Sequence, residues 1–407
     1  MKSWNRPEVP RLPGRGPVPR VWSTASRSLV EARPGGTAQL YVCGITPYDA
    51  THLGHAATYL AYDTLIRLWL DAGYDVAYVQ NVTDVDDPLL ERAAATGVDW
   101  RELAASQVDL FRHDMESLAV IPPDHYIAVT ESIPPIADAV QRLLADGTAY
   151  RLGLDVYFDS AAAAAASPWY LGQESGIDRD RMLVLSAERG GDPGTPGKHD
   201  PLDPVLWRGE RPGEPAWPGG SLGRGRPGWH SECSVIAHDY LEIPVTVQGG
   251  GHDLVFPHHE FTAGHTAALT GRDHAAVYSH AGLVAYAGEK MSKSLGNLVL
   301  VSELTASGAD SRAIRLAVLA HHYREDWEWT AEGLTAATAR LQAWSDWSHR
   351  REPGAPLLAG LRERLADDLD TTAALALVDE AASSESGPAE GDIAAIQSLL
   401  GVRLERR

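Results

Sequence analysis

The order of segments near the start of this 407-residue chain constrains its fold most strongly. A short apolar run at residues 40–43 ends at Gly44, and residues 58–72 carry apolar side chains at helical spacing before Gly73. These patterns predict a buried strand, a loop and a helix that ends near the glycine. A second strand is predicted at residues 76–79. Strand, loop, helix and strand form a parallel α/β unit, whose ligands gather at the carboxyl ends of the strands.

Two short segments far apart in the chain carry residues that suit nucleotide chemistry. His52 and His55 lie after the predicted strand and before the helix, so both imidazoles can face one anion beside the helix N-terminus. Lys290 and Lys293 lie in a Lys-Met-Ser-Lys-Ser sequence, where ammonium groups can neutralise a leaving pyrophosphate. A lone histidine pair is usually structural, and a Lys- and Ser-rich loop is commonly a solvated turn. Together, and in this order, the two segments indicate catalysis at a nucleotide.

Three further residues are candidates for a metal site. Cys43, Cys233 and His258 offer the sulfur and imidazole ligands that zinc prefers. Their separations are long, so only the fold can bring them together. The alternatives are core packing for each cysteine and a surface His-His pair for His258. Three protein ligands would leave the fourth position for a substrate thiolate, which selects cysteine over serine by bonding to sulfur.

A glycine-rich segment and one tryptophan are candidates for substrate binding. Residues 249–251 are glycines followed by His252 and Asp253, and their backbone can approach an adenosine closely. Asp253 suits the amino group of a bound amino acid, although a tight turn with a solvated carboxylate explains it equally well. Trp229 can stack on a substrate or form a wall of its pocket, with core packing as the alternative.

Charge and composition narrow the class of protein. The chain has 55 acidic and 35 basic residues and a net charge of −20. This balance weighs against a transfer-RNA substrate, because nucleic-acid binders usually carry a basic patch. The sequence has no long uncharged apolar run, so we expect no membrane span. Residues 1–20 lack the apolar core of a secretory signal. With only Cys43 and Cys233, we expect no disulfide and a location in the reducing cytoplasm.

The length of the chain predicts two or three domains. Residues 190–228 are so dense in Gly and Pro that we expect either disorder or a working loop. From residue 302 onward the pattern is helical. The expected units are an N-terminal arm (1–36), the first half of a catalytic domain (37–130), a connective insertion (131–224), the second half of the catalytic domain (225–300) and a C-terminal helical domain (301–407).

These residues resemble those of the cysteinyl-transfer-RNA synthetases and of their shortened relatives, the cysteine ligases of mycothiol biosynthesis. The matching segments are Tyr-Val-Cys-Gly (41–44), Thr-His-Leu-Gly-His (51–55), Gly-Trp-His-Ser-Glu-Cys-Ser (228–234), Gly-Gly-Gly-His-Asp-Leu-Val-Phe-Pro-His-His-Glu (249–260) and Lys-Met-Ser-Lys-Ser (290–294). The resemblance covers residues 39–329. It implies an α/β fold, with a Rossmann-like class I catalytic domain, an insertion domain and a C-terminal helical domain.

The resemblance also implies a ligand set. One Zn²⁺ per chain would bind Cys43, Cys233 and His258, and Mg²⁺ would accompany ATP. The catalytic residues would be His52, His55, Lys290 and Lys293. The residues implied to surround a cysteinyl-adenylate are Cys43, Gly44, Ile45, Thr46, Thr58, Asn81, Val82, Thr83, Trp229, Gly251, His252, Asp253 and Val284.

Three departures from the synthetases favour the ligase. Thr262 stands where the synthetases carry a glutamate as fourth zinc ligand, and residues 188–193 match a segment characteristic of the mycothiol ligases. The chain also ends soon after Trp329, which leaves little room for an anticodon-binding region. The resemblance thus implies ATP, L-cysteine and glucosaminyl-inositol as substrates, no nucleic acid and a monomer. The candidates for contact with the second substrate are Glu188, Arg189 and Asp192.

Two alternatives stay open at this point. The first is a cysteinyl-transfer-RNA synthetase with a shortened C-terminus. The second is a catalytically inactive relative that binds nucleotide or zinc and regulates another process. The presence of His52, His55, Lys290 and Lys293 argues against the second alternative.

Overall fold

A five-stranded parallel sheet forms the centre of the computed structural model, which describes residues 1–48, 52–291 and 297–404. The strands in this part of the chain are β1 Arg20–Ser23, β2 Ser28–Glu31, β3 Ala38–Val42, β4 Val76–Val82, β5 His125–Ala128, β6 Ala149–Leu152, β7 Asp155–Phe158, β8 Val205–Gly209, β9 Trp217–Pro218, β10 Arg224–Pro227, β11 Val245–Gly251, β12 Ala275–Ala281, β13 Val284–Tyr286, β14 Glu289–Lys290 and β15 Trp327–Glu328. The central sheet has the order β12-β11-β3-β4-β5.

Helices cover the central sheet and form the C-terminal part of the described chain. They are α1 Leu53–Asp71, α2 Asp87–Thr96, α3 Trp100–Ser117, α4 Ile133–Ala145, α5 Ser160–Ala166, α6 Arg179–Glu188, α7 Trp229–Tyr240, α8 Glu260–Thr270, α9 Val301–Ala306, α10 Ser311–Leu319, α11 Ala331–Ser348, α12 Leu358–Ala366, α13 Thr371–Ser383 and α14 Asp392–Leu400. None of these described helices is both long and apolar enough to span a membrane.

The first strand–helix–strand unit has the predicted order. In β3, Leu40 pairs with Tyr78 of β4 on one side and with Val247 of β11 on the other. All three side chains are buried, as expected for a parallel strand covered on both faces. The predicted helix is α1, which begins five residues earlier than its apolar spacing indicated. It begins there because the side chain of His52 accepts a hydrogen bond from the Gly54 N–H and caps the helix.

A second, antiparallel sheet has the strand order β6-β7-β8-β10-β9. It covers residues 149–227, so it begins in the predicted insertion (131–224) and ends three residues beyond it. It includes three strands from residues 190–228, for which we expected disorder or a working loop, so that expectation is wrong. These strands are only two to five residues long. Their segments carry too few alternating residues to give a period-2 pattern, and Trp207 of β8 is fully buried only because the insertion folds over it.

The C-terminal helices are joined to α1 by a buried ionic cluster. Asp63 of α1 accepts a hydrogen bond from Arg67 Nε at 2.8 Å and pairs with Arg315 of α10. Arg315 also donates from Nε to the Leu400 carbonyl oxygen at 2.7 Å. Burial alone would raise the pKa of Asp63, but the two guanidinium groups hold it below its ordinary value. The cluster therefore fixes α10 and the end of α14 against the catalytic domain.

The N-terminal segment is tied to the body of the protein. The Met1 ammonium group donates to the Tyr126 carbonyl oxygen and to a Glu131 carboxylate oxygen, both at 2.9 Å. The buried Trp4 indole donates to the Val120 carbonyl oxygen at 2.8 Å and packs edge-on against Phe111. These contacts make the first residues an ordered part of the core rather than a loosely attached arm.

Candidate active site and metal centre

The carboxyl ends of β3, β4 and β11 open into one cleft of about 1170 Å³. This is the edge of a parallel sheet where ligands are expected to bind. The predicted site residues that line the cleft are Cys43, Gly44, Ile45, Thr46, His52, His55, Thr58, Glu188, Arg189, Asp192, Trp229, Gly251, Asp253 and Val284. The structure thus brings residues from both halves of the predicted catalytic domain, and from the insertion, to one place.

The three predicted zinc ligands meet at the base of this cleft. Cys43 follows β3, Cys233 lies in α7 and His258 lies in the turn Val255–His259. The two Sγ atoms are 3.9 Å apart, and His258 Nε2 is 3.2 Å from Cys233 Sγ. All three ligand atoms lie within 4.8 Å of one another, and all three residues are buried. Both cysteines are free thiols. Two thiols and an imidazole in this arrangement fit a zinc ion.

Burial sets the protonation of these groups in the metal-free protein. It lowers the pKa of His258 well below its ordinary value, so the imidazole is neutral, which is the form that binds metals. Burial, assisted by the neighbouring Cys43, raises the pKa of the Cys233 thiol. Metal binding at this site must therefore release a thiol proton.

A set of neighbouring side chains orients the three ligands. The Nδ1 atoms of His230 and His258 are 2.9 Å apart, which directs His258 Nε2 towards Cys233. Trp229 stacks on His258 with ring centroids 4.3 Å apart. His230 was not predicted to be such a partner. Its only signal was its place between Trp229 and Cys233, which does not show the direction of the ring.

Cys43 has its own buried partners. His259 Nε2 lies 3.3 Å from Cys43 Sγ, and Gln248 Nε2 lies 3.4 Å from it. The other side of His259 contacts His280 at 2.7 Å. Neither His259 nor Gln248 was predicted. Such outer-shell groups set the orientation and basicity of a metal ligand.

Thr262 lies where the resemblance to the synthetases implies an additional glutamate ligand. It is fully buried, and its Oγ1 atom has no hydrogen-bond partner among the residues that the structure describes. No further Cys, His, Asp or Glu joins the ligand group within residues 1–48, 52–291 and 297–404. The described part of the site therefore offers three protein ligands.

The two histidines of the first nucleotide segment lie side by side in the cleft. The rings of His52 and His55 are stacked, with centroids 4.0 Å apart. His52 Nδ1 accepts a hydrogen bond from the Gly54 N–H at 3.1 Å, so its Nε2 edge points away from the helix. In the second segment, the backbone of Lys290 pairs with Ala285. The side chain of Lys290 and the whole of Lys293 lie outside the described residues.

A hydrogen-bonded chain supports the cleft behind its surface. Asn81 Oδ1 accepts from the Gly44 N–H at 2.8 Å, and Asn81 Nδ2 donates to Thr83 Oγ1 at 3.2 Å. Thr83 Oγ1 in turn donates to Glu232 Oε2 at 3.2 Å. Burial raises the pKa of Glu232 well above its ordinary value. Asn81 and Thr83 therefore shape the loop after β3 from behind the surface of the cleft.

Two other predicted adenylate residues also lie away from the surface of the cleft. Val82 is fully buried in β4, and His252 is exposed on the short 3₁₀ turn after β11. The glycines before that turn have a packing role. A side chain at Gly249 would collide with the Tyr62 ring, and one at Gly250 would meet His259. These two glycines are needed for helix–strand packing, whatever nucleotide binds in front of them.

The predicted second-substrate segment reaches the turn that carries His258. Arg189 Nη1 donates to the Asp253 carbonyl oxygen at 2.5 Å and to that of Phe256. Asp192 accepts from Tyr157 Oη at 2.6 Å and from Lys198 Nζ at 2.8 Å. Glu188 lies beside them on the wall of the cleft. Arg189 thus holds the backbone next to the metal ligands, a role that its place in the sequence does not reveal.

Comparison with known proteins defines the class first. The family model described as tRNA synthetases class I (C) catalytic domain matches residues 30–339, so the chain belongs to this family. Solved structures agree at the level of the fold. A methionyl-tRNA synthetase from Mycobacterium tuberculosis in complex with methionyl-adenylate is 18% identical, with a TM-score of 0.58 over 90% of this chain and 88% of that chain.

Full-length relatives then give the particular family. An L-cysteine:1D-myo-inositol 2-amino-2-deoxy-alpha-D-glucopyranoside ligase from Clavibacter michiganensis is 60% identical, over 99% of both chains. Ligases of the same name from Thermobispora bispora and an Arthrobacter species are 57% and 55% identical, over 99% of this chain and 100% of theirs. The chain belongs to this family of cysteine ligases, which confirms the family predicted from its motifs.

Proposed function

We propose that the chain joins L-cysteine to the 2-amine of 1D-myo-inositol 2-amino-2-deoxy-alpha-D-glucopyranoside, with consumption of ATP, in mycothiol biosynthesis. Full-length relatives of this name and 55–60% identity support the overall reaction. The observation that best supports cysteine as the activated amino acid is the buried Cys43–Cys233–His258 group at the base of the cleft. A zinc ion bound there would coordinate the substrate thiolate and lower the pKa of the thiol.

The first step would form cysteinyl-adenylate. The carboxylate of cysteine attacks the α-phosphorus of ATP, and pyrophosphate leaves. His52 and His55, which are stacked at the N-terminus of α1 and line the cleft, would contact phosphate oxygens. Lys290 and Lys293 would neutralise the leaving pyrophosphate, and Mg²⁺ would accompany ATP. Serine and valine lack the sulfur, so the metal centre itself would discriminate against them.

The second step would form the amide. The amine nitrogen of the amino sugar bonds to the acyl carbon, the bond from that carbon to the phosphate oxygen breaks, and AMP leaves. The wall of the cleft that carries Glu188, Arg189 and Asp192 is the proposed site of the sugar. Holding both reactants in one cleft supplies much of the acceleration through orientation.

The alternative function is aminoacylation of transfer RNA. The net charge of −20 opposes a polyanionic substrate. We further propose that the enzyme acts as a monomer in the reducing cytoplasm. The two buried cysteines, with Sγ atoms 3.9 Å apart, are free thiols, which is in keeping with such a compartment.

One experiment separates the two activities. Zinc-loaded protein is incubated with ATP and radiolabelled cysteine, and is offered either the amino sugar or transfer RNA. Label in a small amide, with release of AMP and no charged RNA, is the expected result. Label on RNA alone would show that the chain is a synthetase. Cysteine-dependent exchange of pyrophosphate into ATP excludes an inactive relative.

A further inference from the structure

Asp86 lies in the loop between β4 and α2 and lines the cleft. One of its oxygens, Oδ1, accepts a hydrogen bond from the Asp87 N–H at 2.8 Å and so caps α2. The other oxygen, Oδ2, receives no hydrogen bond from any residue in the described ranges of the chain. The carboxylate is therefore fixed through one oxygen while the other stays available.

Two neighbouring carboxylates on this side of the cleft, Asp87 and Glu214, are already engaged. Asp87 pairs with Arg226 and lies 3.3 Å from Arg208, and Arg226 also contacts Glu214 at 3.2 Å. Arg226 is itself buried. Neither arginine forms an ion pair with Asp86. Among residues 1–48, 52–291 and 297–404, Asp87 and Glu214 are therefore ion-paired, whereas Asp86 forms no ion pair.

The position of Asp86 connects the metal centre with the insertion. Thr83, three residues earlier on the same loop, donates to Glu232, which directly precedes the metal ligand Cys233. On the other side, Asp87 joins Arg226 of β10, in the antiparallel sheet that begins in the insertion. A reactant that extends from a cysteine at the metal centre towards the insertion would therefore pass this loop.

Burial strengthens Asp86 as a base. It raises the pKa of Asp86 to about 6, and the hydrogen bond from the Asp87 N–H acts in the opposite direction. The negative charge of Asp87 raises the pKa, whereas Arg226 and Arg208 lower it. Glu232 also lies within electrostatic range of Asp86. A carboxylate accepts a proton more effectively when its pKa approaches the working pH.

We propose that Asp86 Oδ2 accepts the proton of the sugar amine during amide formation. The inference rests on the proposed function and names the proton acceptor of its second step. The amine nitrogen bonds to the acyl carbon of cysteinyl-adenylate, and its proton passes to Asp86. The acyl carbon–oxygen bond breaks, and AMP leaves with that electron pair. Asp86 then releases the proton to water.

The test replaces Asp86 with asparagine. Asp86→Asn keeps a side-chain oxygen for the Asp87 N–H, so the cap of α2 is preserved while the base is removed. Cysteine-dependent pyrophosphate exchange reports the first step. Single-turnover transfer from preformed cysteinyl-adenylate to the amino sugar reports the second. We expect unchanged exchange and transfer that is slower by a factor of about 100 or more, the usual contribution of general base catalysis.

Two further measurements separate proton transfer from an effect on structure. Wild-type transfer should slow as pH falls through about 6, where Asp86 becomes protonated, and the Asp86→Asn variant should lack this limb. Hydroxylamine is a weakly basic amine, so its adduct with the acyl carbon carries an acidic N–H that water can deprotonate without a protein base. It should therefore react at the same rate with both proteins. Glu102→Gln is the matched control, because Glu102 is an exposed carboxylate on the neighbouring helix α3 and lies outside the cleft. It should behave as the wild type in every assay.

Each contrary result has a defined meaning. Transfer to the sugar at the wild-type rate by Asp86→Asn would overturn the assignment. Asp86→Ser removes the carboxylate but keeps a good helix cap. If exchange and transfer fall equally in the Asn and Ser variants, the role of Asp86 is structural and the proposal is wrong. If wild-type protein charges transfer RNA and forms no amide, the proposed function itself fails.

Discussion

His258 is held by contacts on two sides, and these contacts fix its orientation as a metal ligand. His230 contacts its Nδ1 atom at 2.9 Å, and the Trp229 ring stacks on its face. Burial keeps the pKa of His230 at about 3, so this partner is neutral at physiological pH. Since a neutral His258 must leave Nε2 unprotonated to bind a metal, its Nδ1 carries the proton and donates a hydrogen bond to His230 Nδ1.

The first prediction concerns this partner. His230→Phe keeps a ring that packs against Phe261, 5.7 Å away, and removes the nitrogen that fixes His258. We expect zinc affinity to fall by roughly 10- to 100-fold, as for other outer-shell partners. Competition with a zinc chelator measures the change. Thr262→Val is the control. Thr262 is not one of the three ligands, so the loss of its hydroxyl group should leave the zinc affinity unaltered. A loss of zinc in Thr262→Val would show that the site uses a fourth protein group.

Arg189 supports a second prediction at the scale of single residues. Its guanidinium holds the carbonyl oxygens of Asp253 and Phe256, next to the turn that carries His258. Arg189→Ala should therefore slow pyrophosphate exchange as well as transfer to the sugar, by about 10-fold or more, because active sites respond strongly to small displacements. Asp192→Asn should slow only the transfer step. Normal exchange in Arg189→Ala would instead indicate direct and exclusive contact with the sugar.

The sequence predicted the three metal ligands but not the groups around them. Cys43, Cys233 and His258 could be proposed because their residue types are restricted by zinc chemistry. His259 and Gln248, which contact Cys43, belong to residue types with many roles. Their function depends on the direction of a side chain in a buried network, and no spacing along the chain encodes that direction.

At the scale of elements, the packing of α10 on α1 depends on one buried carboxylate. Asp63 has no exposed side-chain surface and interacts with both Arg67 and Arg315. The ionic cluster spans 252 residues of sequence between Asp63 and Arg315. Breaking a buried pair by removing one partner is costly because the remaining charge stays buried.

The third prediction follows from this cluster. Arg315→Met should destabilise the protein by about 3–5 kcal/mol, measured by denaturant unfolding. Arg33→Ala, which removes an exposed pair with Glu31, should change stability by no more than about 1 kcal/mol. The pKa of Asp63 is lowered in the folded state, so its contribution to stability is present above the ordinary carboxyl pKa. That contribution is lost as pH falls through the folded value. Equal unfolding free energies for Arg315→Met and wild type would refute this role.

The elements differed in how far sequence could predict them. The helix α1 was predictable because apolar side chains at helical spacing and a closing glycine define it. The strands β3 and β4 were predictable because each contains a short apolar run. The strands of residues 190–228 were not, since each is short and is bounded by Gly and Pro. Their pairing in the order β8-β10-β9 is decided by contacts between segments rather than by local preference.

At the scale of the whole molecule, charge separates the two reactions that this fold can support. A transfer-RNA synthetase must bind a polyanion. The amino sugar of the ligase is small and either neutral or cationic, so a negative potential in the cleft favours its binding. The chain has 20 more acidic than basic side chains, and acidic groups such as Asp86 and Glu91 line the cleft itself. An acidic cleft raises the local concentration of a cationic amine, so the overall charge and the proposed substrate agree.

The fourth prediction tests this agreement through salt. Raising the ionic strength should weaken the apparent affinity for the amino sugar modestly, because screening removes attraction between an ammonium group and an acidic cleft. Binding of transfer RNA should be no tighter than non-specific binding, with dissociation constants of about 10⁻⁶ to 10⁻⁴ M or weaker at physiological salt. Filter binding with labelled transfer RNA at a series of salt concentrations, beside steady-state kinetics with the sugar, measures both. Tight RNA binding that weakens steeply with salt would mean that a local basic surface binds RNA despite the net negative charge of the chain. Aminoacylation of transfer RNA would then be the better proposal for the function.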